Sequence, residues 1–314
     1  MPALPIGTGH PDDELHPPTS DSPEWSETCW FTFAIPERSM SVQFYPYFRP
    51  NLGVAAGAVY VWDGHDEQPS TCRYAKNFWH LPMPDTPLSD LMLANGITYR
   101  TDETLRRYTI GYSDPDGGDL RIDLDVTCEH EPFVLHTHYD QATRATGTIH
   151  LDGETINVDC GGFRDRSWGV RSQFGNQVMG PADYAAYSWG VGSRDSAGDG
   201  FFSLGGDFGN GIQNVHGYVR RDGELVPIGT ATRRVVERSA VAYPTHVVIE
   251  GSDAGGREFV AEGRARNGLG WFINPNLYTI NALIDWSLDG IPCPGEDHDN
   301  WSAASIRAFH RTRR

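Results

Sequence analysis

From Glu24 onward the chain runs in short stretches where apolar, often β-branched or aromatic, positions alternate with polar ones. The stretches are broken by turn signals at Asp63-Gly64, Asp116-Gly117-Gly118, Asp152-Gly153, Asp222-Gly223 and Ala254-Gly255-Gly256. A period of two interrupted in this way reads as antiparallel strands joined by hairpins. The pattern is clearest in two places. From Gly147 to Val158, Ile149 and Leu151 answer Ile156 and Val158 across Asp152-Gly153, and Val215 to Ile228 is arranged in the same way around Asp222-Gly223. A helical stripe is offered only by residues 86–95, and it is barely two turns long. The predicted fold class is all-β, with short helical segments only.

There are more strands than one small barrel needs, so the economical layout is two tandem antiparallel β-barrels or sandwiches. A weak internal echo supports two similar halves: Gly147 to Glu154 and Gly217 to Glu224 share Gly, a β-branched residue, Asp-Gly and Glu at matching offsets. Residues 1–24, rich in Pro, Asp, His and Ser, are expected to form an extended N-terminal tail on the surface. Residues 25–140 then form the first β domain and 141–305 the second.

Composition narrows the partners. At 314 residues with 39% hydrophobic content the chain can bury a sizeable core, yet no apolar run is long enough for a membrane helix. Its 42 acidic residues outnumber 25 basic ones, Lys76 being the sole lysine, for a net charge of −17. Nucleic acid and anionic membranes are therefore poor partners. The first residues carry neither a basic region nor an apolar core, so no signal peptide is expected and the expected compartment is the cytoplasm. Cys29, Cys72, Cys128, Cys160 and Cys293 are odd in number and widely spaced, which fits reduced thiols better than disulfides or a zinc knuckle.

The densest chemistry lies in residues 161–171, where Arg164, Asp165, Arg166, Trp168 and Arg171 stand among three glycines. Burying so many charges demands partners, so the segment is either an ion-paired structural lock, with Asp165 among the arginines, or a polar cluster at the mouth of a ligand cavity. In His136-Thr137-His138-Tyr139-Asp140, alternation would put His136, His138 and Asp140 on one face with metal-ligand spacing. The next acidic residues come only at Asp152 and Glu154, beyond a turn, so no metal is expected. There is no nucleophile elbow, dinucleotide fingerprint or phosphate loop, hence no organic cofactor is expected either. Tyr184, Tyr187 and Trp189 follow, the last two on one face of a predicted strand; such rings are either core or the lining of a ligand site, where phenol and indole can steady a carbocation.

Phe163-Arg164-Asp165-Arg166-Ser167-Trp168-Gly169 resembles the Asp-His-x-Trp-Gly signature of the two-domain lipocalin-like proteins that include the carotenoid 1,2-hydratases, the hydroxyneurosporene synthase relatives and some fungal Diels-Alderase-type cyclases. It is more similar still to a bacterial branch carrying Arg-Asp-His-Ser-Trp-Gly. The likeness extends through Trp25, Arg49-Pro50-Asn51, His138-Tyr139-Asp140-Gln141, the 147–171 block and the stretch from Asp289-Gly290 to Gly295-Glu296, with only the central block specific. The resemblance implies two lipocalin-like barrels, an apolar pocket and no organic cofactor. In the hydratases the signature His and Trp, with a downstream Tyr and Asp, are implicated in protonating and hydrating an alkene. Here Trp168 matches the Trp, while Arg166 stands at the His position. An arginine cannot shuttle a proton, so either Asp165 or His138 serves as the acid instead or the hydration chemistry has been lost.

These readings lead to a cofactor-independent enzyme acting on a hydrophobic small molecule, isoprenoid- or polyketide-like, by alkene hydration or dehydration, isomerisation or cyclisation. Asp165, Trp168, Tyr187 and His138 are the expected catalytic residues, and Arg166, Trp189, Tyr184 and Asp140 the expected substrate contacts. The alternative is a binding protein that sequesters an apolar lipid or terpenoid without catalysis.

Overall fold

The computed structural model describes residues 13–171, 184–207 and 212–312, and its architecture is all-β. The first sheet contains β1 (Trp25–Ile35), β2 (Met40–Arg49), β3 (Val54–Trp62), β4 (Tyr74–Pro82), β5 (Asp90–Met92), β6 (Ile97–Glu103), β7 (Arg107–Ser113), β8 (Arg121–Cys128), β9 (Phe133–Leu135), β10 (His138–Leu151) and β11 (Glu154–Val170). Its order is β4-β3-β2-β1-β11-β10-β8-β7-β6-β5, with β9 beside β10, and it curls into a half-barrel.

The second sheet contains β12 (Tyr184–Val191), β13 (Gly200–Asp207), β14 (Ile212–Arg221), β15 (Glu224–Arg238), β16 (Pro244–Asp253), β17 (Glu258–Ala265), β18 (Leu269–Asn274), β19 (Leu277–Leu288), β20 (Ile291–Pro292) and β21 (Gly295–Ser302). The order is β17-β16-β15-β14-β13-β12-β21-β19-β18, with β20 beside β19. Pairing of β17 with β19 closes eight of these strands into a barrel. Phe201, Val219, Val247, Ile249, Phe259, Ile284, Trp286 and Leu288 fill its interior from alternate positions of the surrounding strands.

Both expected hairpins are present. In each, the two central residues have positive φ: Asp152 and Gly153 at 54° and 74°, Asp222 and Gly223 at 53° and 85°. Two successive left-handed residues match the twist of the flanking strands, which is why Asp-Gly occupies both turns.

Two compact units divide the chain. The first comprises Met1–Ile35, Val42–Tyr60 and Tyr74–Arg171, and the second Pro36–Ser41, Val61–Arg73 and Ser172–Arg314. The expected boundary at 140/141 falls inside β10, whose residues from His138 to Leu151 all pair with β11. Cutting there would expose a ladder of buried backbone donors and acceptors, so the first unit continues to Arg171. Of the expected surface tail, residues 1–12 lie outside the described residues and 17–21 are exposed, but Asp13 and His16 are only 2% and 4% exposed, which corrects the expectation for that stretch.

The 86–95 stripe is not a helix; Leu91 and Leu93 are buried at a spacing of two, and Asp90–Met92 is an edge strand. The one α-helix among the described residues is α1 (Ala303–Thr312). The Ser302 hydroxyl accepts the Ser305 N–H at 3.1 Å as its N-cap, and Ile306 and Phe309 pack on Ala242, Tyr243 and Ile280.

Gly147, at φ 149°, lets β10 pass close to β8: a Cβ there would lie 2.1 Å from the Asp123 carbonyl oxygen. Backbone atoms cannot yield as a side-chain tip can. Gly147→Ala is expected to cost about 1–3 kcal/mol in urea unfolding, and an unchanged midpoint would contradict this packing.

Candidate functional site

β11 lies between β1 and β10, so its residues are matched on both sides. Asp165 faces Trp30 on β1 and Asp140 on β10; Ser167 faces Thr28 and His138; Arg164 faces Phe31 and Gln141; Arg166 faces Cys29 and Tyr139. Since side chains alternate along a strand, Asp165 and Ser167 share one face, and Arg164, Arg166 and Trp168 share the other. Of the arginines offered as partners of Asp165 in the structural-lock alternative, Arg164 and Arg166 therefore lie on the opposite face. Asp165 and Trp168, both expected as catalytic residues, lie on opposite faces of the strand.

On the arginine face, both guanidiniums are wholly buried. Arg164 donates from Nη2 to Asp13, and from Nη1 to the Tyr108 hydroxyl at 2.6 Å and the Gln141 amide oxygen at 2.9 Å. Its guanidinium lies 4.4 Å from the Tyr108 ring centroid and 5.2 Å from that of Tyr139. Burial pushes the Asp13 carboxyl upward, but Arg164, the Leu105 N–H and the Tyr108 hydroxyl outweigh it and hold the group below the usual carboxylate range. Arg166 pairs with Glu27, also fully buried, at 3.1 Å and donates to the Glu14 carbonyl at 3.0 Å. His16 donates its N–H to Glu27 at 2.5 Å and stacks on Trp168 with ring centroids 3.9 Å apart. Tyr139 meets the Trp168 ring edge-on. This face is an ion-paired lock, and the N-terminal segment completes it.

The other face carries the candidate acid–base group. His138 Nε2 is 2.8 Å from Asp140 and its Nδ1 is 3.1 Å from Asp165 and 2.7 Å from the Ser167 hydroxyl. Ser167 in turn donates to Asp165 at 3.4 Å. Asp140 is fully buried, whereas His138 and Asp165 keep 17% and 15% of their side-chain surface open. Burial alone would lower the His138 imidazolium, but the charges of Asp140 and Asp165 overcome it and push the group up to about 9. Arg171, which donates to the Thr28 hydroxyl at 3.2 Å, opposes them from the same side. Two carboxylates directly opposite in an antiparallel pair repel, and the imidazolium between them removes the conflict.

His136 takes no part: it sits in the turn before β10 with φ 54°, not on the strand face expected for it. The further ligand that the sequence did not offer is supplied by Asp165 from the adjacent strand. Ligand atoms of His138, Asp140 and Asp165 lie within 4.8 Å of one another, a span that one cation could bridge.

Tyr184, Tyr187 and Trp189 belong to β12, in the second unit. Tyr184 points into the barrel, where its hydroxyl accepts from Arg233 at 2.7 Å and Arg238 at 2.9 Å and donates to Asp299. Arg233 also holds Asp297 through Nε at 2.9 Å and Nη2 at 2.5 Å, and Ser188 donates to Asp297 at 2.6 Å. Tyr187 and Trp189 lie on the opposite face of the wall, Tyr187 beside Phe202 and His298 at 4.7 and 5.7 Å. Of the expected site residues, then, His138, Asp140 and Asp165 meet; Arg166 and Trp168 share the opposite face of β11; the three β12 residues belong to the second unit.

A family model described as a domain of unknown function, DUF7064, matches residues 9–290. The chain belongs to this family. No curated protein matches it by sequence. Among solved structures, an AttH-like protein from Nitrosomonas europaea is similar at TM-score 0.65 and 14% identity, covering 94% of this chain and 98% of the other. Kievitone hydratase from Nectria haematococca is similar at TM-score 0.55 and 10% identity, covering 88% and 89%, and CghA at 0.57 and 13%, covering 96% and 94%. At these identities the likeness carries the fold, which this DUF7064 chain shares along most of its length. No helix among its described residues is long and apolar enough to cross a membrane.

Ser167, Glu27, Gln141, Tyr99, Tyr108 and Asp13 were not anticipated from the sequence. Glu27 left a signal, being a lone acid in the otherwise uncharged strand Trp25–Ile35; Asp13 left none.

Two outcomes test this division of charges. The folded His138 is raised from an ordinary 6.5 to about 9, so its stabilising contribution, on the order of 3 kcal/mol, is full below pH 6.5 and is lost as pH rises through 9. The stability gap between wild type and His138→Gln should accordingly close between pH 6.5 and 10 in denaturant titrations, and a gap that widens would contradict it. Since the imidazolium already supplies the positive charge between Asp140 and Asp165, chelators should leave stability unchanged. Stoichiometric zinc, iron or manganese surviving dialysis would show otherwise.

Proposed function

We propose that this DUF7064 protein is a cofactor-independent enzyme that moves a proton to or from carbon in a hydrophobic small molecule, as a hydratase, isomerase or cyclase. The observation that carries the reading is His138 held between Asp140 and Asp165, with Ser167 bridging and His138 and Asp165 keeping 17% and 15% of their side-chain surface exposed. A cation fixed between two bases is a proton store: the imidazolium donates, and Asp165, the accessible carboxylate, accepts.

For hydration, His138 delivers its proton to one alkene carbon, water adds to the other, and Asp165 takes the proton that the water sheds. The sum is alkene plus water giving alcohol, with the proton returned through Ser167 to His138. An acid raised to about 9 is weak. It suits a carbon made basic by conjugation to a carbonyl, as in an enone or dienolate, better than an isolated alkene. Trp30, directly opposite Asp165 on β1, supplies an aromatic face on the same side of the sheet. The fold shared with kievitone hydratase and CghA supports a hydration or cyclisation chemistry of this kind. An isoprenoid- or polyketide-like skeleton would suit it, and Arg-Asp-Arg-Ser-Trp-Gly is then a variant of the hydratase signature in which the proton has moved from the signature position to His138. In the second unit Tyr187 remains a proposed catalytic residue, and Trp189 and Tyr184 remain proposed substrate contacts.

One observation favours a binding protein instead: Arg166, in the signature His position, is spent on Glu27 and the Glu14 carbonyl. The two readings separate on one assay. Apolar molecules that co-purify with the protein, identified by native mass spectrometry, are returned to it in D₂O. Catalysis predicts deuterium at carbon, reduced about a hundredfold or more in His138→Gln and Asp165→Asn, measured at a temperature where both variants remain folded. Retention of the ligand with no exchange in the wild type would leave the binding reading.

A further inference from the structure

We propose that Arg164, Tyr99, Tyr108 and the Leu105 N–H form a carboxylate-binding pocket in the first unit, occupied by the chain's own Asp13 and open to exchange with the carboxylate of a small-molecule ligand. The inference does not depend on the acid–base role of His138, which lies on the other face of β11.

Four donors converge on one carboxylate. Arg164 donates from Nη2, Leu105 N–H at 2.6 Å, Tyr108 Oη at 3.0 Å and Tyr99 Oη at 3.2 Å. All four belong to the sheet and its turns rather than to the N-terminal segment. Gln141 fixes the guanidinium: its amide oxygen accepts from Arg164 while its NH₂ donates to the carbonyls of Leu105 at 3.0 Å and His130 at 2.9 Å. Tyr99 and Tyr108 stack at 5.2 Å, and Phe31 packs against both. This is a preorganised anion site with aromatic walls, of the kind that recognises an organic acid.

The occupant is different in kind. Residues 13–24 form no strand or helix. Their hold on the sheet is polar: Asp13 in the pocket, Glu14 accepting from Leu88 N–H at 2.9 Å and from Ser89, the Glu14 carbonyl on Arg166, and His16 on Glu27 and Trp168. Leu15, the only large aliphatic residue among positions 13–16, is not fully buried. A buried Arg164 must always have a counter-charge, so losing Asp13 is costly but trading it for another carboxylate leaves the charge balance unchanged. A ligand acid that enters would release the strap from Arg166 and Trp168 as well.

Two measurements on the full chain test this, with sodium acetate and sodium benzoate as probes and acetamide, benzamide and sodium chloride at matched ionic strength as controls. A tethered carboxylate acts at an effective concentration of roughly millimolar, so probes up to about 100 mM can compete. In the wild type, hydrogen exchange of residues 13–24 should accelerate about threefold or more with a carboxylate and not with amide or chloride. Asp13→Ala should melt below wild type and recover by about 3 °C at ten times the dissociation constant of acetate or benzoate. Exchange in the wild type that is indifferent to both acids would overturn the proposal, and this arm decides the matter even if Asp13→Ala does not fold. Recovery of Asp13→Ala by chloride or amide as readily as by carboxylate would overturn it equally.

Discussion

A guanidinium cannot be buried without a counter-charge, and β11 buries two of them with no exposure at all. Much of the first unit answers that demand. Glu27 interrupts an uncharged strand because Arg166 requires it, and the N-terminal segment turns inward because Arg164 requires Asp13. Tyr99, Tyr108 and Gln141 orient toward the same point. Replacing either carboxylate would strand a charge at a cost of about 3–5 kcal/mol, whereas Asp165, partly exposed, is paired with His138 rather than with Arg164 or Arg166.

The same strand then shows how sheet geometry keeps structural and chemical charges apart. One residue of offset moves a side chain to the opposite face. Arg164, Arg166 and Trp168 therefore serve the interior lock, while Asp165 and Ser167 meet His138 and Asp140 on the reverse. Arginine beside a catalytic carboxylate in sequence would ordinarily depress it and spoil it as a proton acceptor. Here the imidazolium of His138, not a guanidinium, is the cation Asp165 meets at 3.1 Å, and it can give up its proton.

How much of this was legible beforehand differs by level. Alternation and Asp-Gly turns disclosed the all-β class and the two hairpins, because both are local signals carried by adjacent residues. The 140/141 boundary is misplaced because Asp152-Gly153 marks only the tip of the β10–β11 hairpin, and nothing local tells how far its two strands run or that both belong to the first sheet. In the site, the importance of 164–168 was visible from charge density alone, and His138 and Asp140 from their spacing. What was not visible was the pairing. Asp165 was grouped with its sequence neighbours, although the period-two rule already applied to His138 and Asp140 would have placed it on the other face. Asp13 lies 151 residues from Arg164, and no local rule could join them. The C-terminal helix leaves a trace, a Ser302 cap followed by Ile306 and Phe309 three apart, but its apolar stripe is too short to stand out from the surrounding alternation.

The account turns on His138 being an imidazolium held by Asp140 and Asp165, and a histidine-labelled NMR titration measures this directly. The wild-type ring should remain protonated through neutral pH and titrate near 9, falling toward the ordinary value in Asp165→Asn while Glu27 and Asp13 are left intact. A His138 resonance that titrates near 6.5 in the wild type, or that ignores the loss of Asp165, would contradict the assignment of this face as the proton-handling one.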